Sequence, residues 1–62
     1  MNLPMYTIWY DLPDGSFGRA YADTTAGARR IVYELRAKKY QNIEIWLTHR
    51  IAIVTKDIMG ER

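Results

Sequence analysis

The sequence predicts a two-layer α+β domain: a four-stranded, mainly antiparallel sheet with one helix on one face, in the order β-β-α-β-β. Two observations carry this. Residues 5–10, 17–22, 43–48 and 51–56 are rich in aromatic and β-branched residues and alternate with period two, as half-buried strands do. Between the second and third of these segments, Ala28, Ile31, Val32 and Leu35 recur at i, i+3, i+4 and i+7, which is one apolar stripe of a helix. A single helix covering one face of such a sheet is the economical way to bury both.

Each element has local reasons. Met5-Tyr-Thr-Ile-Trp-Tyr10 forms the first strand. Pro13 presets φ for a turn and Asp14-Gly15 tolerate positive φ, so the chain reverses into a hairpin. Phe17-Gly-Arg-Ala-Tyr-Ala22 returns, with the small residues Gly18, Ala20 and Ala22 on one side, where a helix can approach closely. Asp23-Thr24-Thr25 starts the helix with Thr24 as N-cap. Arg36, Lys38 and Lys39 close it, where cations complement the C-terminal dipole. Gln41-Asn42 is a short connection. Ile43–Thr48 is the third strand, a turn near His49 follows, and residues 51–56 are the fourth. Residues 57–62 are expected to fray. The core face gathers Tyr6, Ile8, Tyr10, Ala20, Ala22, Ile43, Ile45, Leu47, Ile51 and Ile53.

Sixty-two residues allow one domain, spanning 1–62, with a thin stability margin. The chain has no cysteine and one histidine, which removes disulfides, thiolate zinc sites and cysteine nucleophiles. No cofactor or metal site is expected. No apolar run approaches the roughly 20 residues of a membrane span, and the start of the chain lacks a signal-peptide pattern. The expected location is therefore cytoplasmic. A net charge of +2 permits nucleic-acid contact without arguing for it.

Catalytic constellations are not found. His49 sits at a turn with no carboxylate placed to orient it. Asp11 and Asp14 serve a turn, and their spacing is not that of a calcium loop. Gly15-Ser16-Phe17-Gly18 joins strand to strand and lacks the ending of a phosphate loop. The chain reads as a non-enzyme without a small-molecule substrate.

The informative feature is the second sheet face. Period-two alternation sends Trp9, Phe17, Tyr21 and Trp46 away from the helix, with Arg19 beside them. An exposed apolar patch of that size marks a binding surface. These residue types dominate protein interfaces, so Trp9, Phe17, Arg19, Tyr21 and Trp46 are the candidate partner site. The same face could close a homodimer by sheet stacking. The alternative is a single-stranded nucleic-acid platform, with bases stacked on the rings and Arg29, Arg30, Lys38, Lys39 and Arg50 at phosphates.

The layout Tyr6-Thr-Ile-Trp-Tyr-Asp11, Asp14-Gly15, Ala22-Asp23-Thr24, Ala28-Arg29, Ile31-Val32, Leu35 and Asn42-Ile43-Glu44-Ile45 resembles many very small bacteriophage-encoded proteins. Some of these are anti-CRISPR or other anti-defence proteins, and one type blocks host RNA polymerase. The resemblance is one of length and layout and carries over no functional residue. It implies a non-enzymatic inhibitor that occupies a surface of a larger host protein or complex inside a bacterial cell.

Overall fold

The computed structural model describes residues 3–60; Met1, Asn2, Glu61 and Arg62 lie outside the described residues. Strands β1 (Tyr6–Asp11) and β2 (Phe17–Ala22) precede helix α1 (Thr25–Ala37). Strands β3 (Gln41–Leu47) and β4 (Ala52–Ile53) follow, then a short helix α2 (Thr55–Met59). The strands form one antiparallel sheet in the order β2-β1-β3-β4. The main helix covers one face of it, as the α+β reading expects.

Burial follows the two periodicities. Ile8 and Ile45 lie opposite each other on neighbouring strands and, with Val32 of α1, are the largest fully buried side chains. Tyr6, Ala22, Ala28 and Leu35 complete the core, and Tyr10, Ile31, Ile43 and Leu47 pack around it half-buried. Thr24 is the N-cap: its Oγ1 accepts the Gly27 amide at 3.0 Å. At the other end of α1, Tyr40 N–H donates to Leu35 C=O at 3.1 Å and Lys39 N–H to Arg36 C=O at 2.9 Å. That pair of bonds is a Schellman motif. It puts Lys39 at φ 64°, a left-handed position that favours glycine.

The β1–β2 loop is held by Leu12 N–H donating to Ser16 C=O at 2.8 Å and by Gly15 at φ 91°. Both the hydroxyl and the backbone N–H of Ser16 donate to Asp14 Oδ1. These two bonds, the hydroxyl first, hold the Asp14 carboxyl below its ordinary value of 3.8. Gly18 does not serve helix approach. A Cβ there would lie 2.5 Å from the Tyr10 ring, which occupies that space. Tyr10 is itself stacked on Tyr40, centroids 5.4 Å apart and planes within 3°.

The second half of the chain departs from the expected pattern in three places. Gln41 and Asn42 belong to β3 and do not form a connection. Between the Trp9–Glu44 and Asp11–Gln41 pairs the register slips by one residue, and Asn42 takes φ 53°. This is a bulge, and Asn accepts the left-handed position more readily than most residues. Asn42 Nδ2 then donates to Asp11 Oδ2 at 2.6 Å across the strands.

The fourth strand is only Ala52–Ile53, and its register reverses the faces assigned to it. Trp46 pairs with Ile53 and Leu47 with Ala52, so Ala52 lies toward the helix and Ile53 away from it. Ile51 and Ile53 are therefore not core residues; they are 78% and 54% exposed. A four-residue turn, Thr48 to Ile51, sets this register, closed by Ile51 N–H donating to Leu47 C=O at 2.9 Å. A one-residue slip moves a whole strand to the other face.

The third departure is the C-terminal segment, expected as strand and then frayed tail. Residues 55–59 instead form α2, whose Ile58 and Met59 pack on the core together with Val54. Arg29 Nε donates to Ile58 C=O at 2.8 Å, tying α2 to α1. Ile45 N–H donates to Thr55 Oγ1 at 2.8 Å, and Val54 N–H to Ile45 C=O at 2.7 Å. The chain leaves the sheet early because a side-chain hydroxyl satisfies β3 where a strand residue would have done so.

Two substitutions test this account by chemical denaturation. Lys39→Gly relieves the left-handed lysine and is expected to stabilise the fold by about 0.5–1 kcal/mol. Gly18→Ala pushes Tyr10 off Tyr40 and is expected to cost about 1–3 kcal/mol. The hairpin adds a pH signature. Because the folded carboxyl of Asp14 is lowered, its stabilisation is present above the unfolded value and lost as pH falls through the lowered one. An NMR titration should place the Asp14 midpoint below 3.8.

Candidate functional site

Alternation along the four strands builds the face opposite α1 in rows. One row runs Tyr21, Thr7, Trp46, Ile53; the next Arg19, Trp9, Glu44; the third Phe17, Asp11, Gln41. All five residues of the partner-site expectation lie in these rows. Phe17 and Tyr21 are 68% and 53% exposed, while Trp9 and Trp46 are half-buried.

Three of the five touch. The Trp9 and Phe17 ring centroids are 5.8 Å apart, tilted at 48°. The Arg19 guanidinium lies 5.0 Å from the centre of the Trp9 ring, a cation–π distance. Tyr21 and Trp46 flank Thr7. Thr7 is only 8% exposed, and its hydroxyl lies 2.7 Å from that of Thr48. The buried threonine is the floor of a furrow with an aromatic residue on each side.

Trp9 and Trp46 border two open concavities. Asp11, Phe17, Asn42, Glu44 and Ile51 line one of them with the two tryptophans. Thr7, Arg19, Tyr21, Leu47 and Ile51 are among the residues lining the other. Arg19 thus lies on one side of this ridge and the two carboxylates on the other. Trp46 Nε1 donates a long bond, 3.4 Å, to Glu44 Oε1.

The cations of the nucleic-acid alternative are not gathered here. Arg29 and Arg30 lie on α1 and Lys38 at its C-cap, in the layer on the other side of the sheet, while Lys39 lines a separate concavity with Asp11 and Gln41 beside the β1–β2 loop. Arg29 is engaged with α2. Arg50 is exposed in the turn beyond β3, and so is His49. Among the described residues no group of three or more His, Cys, Asp or Glu side chains could hold a metal ion. No helix among them is long and apolar enough to cross a membrane.

The structure adds residues that the reading of this face omitted. Glu44 was legible, since alternation through Trp46 places it on the same side. Asn42 needed the bulge. Ile51 had no sequence signal. It lines both concavities at φ 49°, a backbone position that β-branched residues avoid. Being mostly exposed, it gains little burial in return. Strain of this kind concentrates where a side chain is used.

Ile51→Gly is expected to raise stability by roughly 1 kcal/mol by releasing the left-handed isoleucine, while weakening any binding through this face. Denaturation and a binding measurement on the same variant separate the two effects. No protein-family model, curated protein or solved structure matches this chain.

Proposed function

We propose that the protein is a non-catalytic protein-binding module that docks through the sheet face opposite α1. The observation that carries this is the ordered aromatic cluster of Trp9, Phe17 and Arg19, extended by Tyr21, Trp46 and Ile51 and left uncovered by the single main helix. Aromatic residues and arginine, clustered and partly desolvated, are the usual anchors of protein interfaces. In keeping with the resemblance to small phage proteins, the partner is a surface of a host protein or complex in a bacterial cytoplasm. The protein acts there as an inhibitor by occupancy, without a cofactor.

Single-stranded nucleic-acid binding fits the same surface less well. Arg19 already covers part of Trp9, Asp11 and Glu44 oppose phosphates, and the helical cations belong to the other layer. Closure of the face on a second copy is the other competing occupant. It would appear as a concentration-dependent mass in sedimentation.

The test compares wild type with Trp9→Ala/Trp46→Ala as bait in a bacterial lysate. Loss of both anchors is expected to weaken partner binding by about 2–4 kcal/mol. Equal recovery by a folded double variant would remove this face from the mechanism. Binding of short oligonucleotides that falls steeply with salt would favour the nucleic-acid alternative.

A further inference from the structure

Resting on the reading of this face as a protein-docking surface, we infer that the concavity bounded by Trp9, Phe17 and Trp46 receives an arginine side chain of the partner. Charge carries the inference. The chain is net +2, yet this concavity is lined by the carboxylates of Asp11 and Glu44 and by no lysine or arginine. Both acidic residues are exposed. Oδ2 of Asp11 accepts from Asn42, and Oε1 of Glu44 accepts the long indole bond. Each carboxylate has lone pairs left for an incoming donor.

The walls supply the rest. Arginine is planar, weakly hydrated for a cation, stacks on aromatic faces and donates bidentately to carboxylates, which matches rings and acids at one mouth. The chain gives its own precedent on the other side of the ridge, where Arg19 sits over Trp9. A phosphate or acidic segment would meet two like charges here. An aliphatic side chain would leave both carboxylates unanswered.

The experiment titrates the intact protein with two blocked tripeptides, one with a central arginine and one with its neutral isostere citrulline, following tryptophan emission. The arginine peptide is expected to bind roughly three- to thirtyfold tighter. Glu44→Gln, an exposed substitution, is expected to reduce that preference to about twofold or less. Equal affinity for the two peptides would overturn the arginine assignment while leaving the aromatic face as a docking surface. An unchanged preference in both Glu44→Gln and Asp11→Asn would overturn it too. Absence of binding by either peptide would also overturn it, and the double-tryptophan comparison in lysate would then judge the docking face separately. A dimer in sedimentation that the arginine peptide dissolves would identify a second copy's arginine as occupant, and the external-partner assignment would fall.

Discussion

One main helix must serve a four-stranded sheet, and the rest of the molecule follows from that shortage. Ile8, Ile45 and Val32 are sealed between the central strands and α1. The opposite face has no second layer among the described residues, so the aromatic residues that alternation puts there meet solvent in whole or in part. An aromatic surface is thus affordable only because the core is concentrated on the two central strands. Within it the Trp9 ring contacts both Phe17 and Arg19.

The first half of the molecule was legible because its signals are local and agree. The Asp14-Gly15 turn, the Thr24 cap and the stripe from Ala28 to Leu35 each act within a few residues. The second half was not, because its decisive choices are positive-φ residues without glycine. Asn42 and Ile51 change register at the two ends of β3. A slip of one residue exchanges the faces of everything beyond it. Apolar pattern alone put Ile51 and Ile53 in the core. The turn put them outside, and Val54, Ile58 and Met59 pack on the core in their stead.

The candidate site was legible to the same degree. Trp9, Phe17, Arg19, Tyr21 and Trp46 share a face because alternation within β1, β2 and β3 is regular where they lie. What alternation could not supply is which neighbours meet across strands. The split of charge about the tryptophans, Arg19 on one side and Asp11 with Glu44 on the other, is a property of register. Without the pairing of Trp9 to both Arg19 and Glu44 it has no sequence signature.

The start of α2 has a consequence for how the sheet ends. Beyond Ile53 the outer margin of β3 is served by the Thr55 hydroxyl and the Val54 amide, both directed to Ile45. A strand margin with open ladder groups is a template for pairing with another chain. The closing segment therefore acts as a selvedge that keeps the woven edge from joining its neighbour. A protease that cut between β4 and α2 would remove core contacts from Ile58 and Met59 and bare that margin in one step. Such a clipped chain would be disposed to recruit further copies of itself along the sheet, in a direction unrelated to the aromatic face.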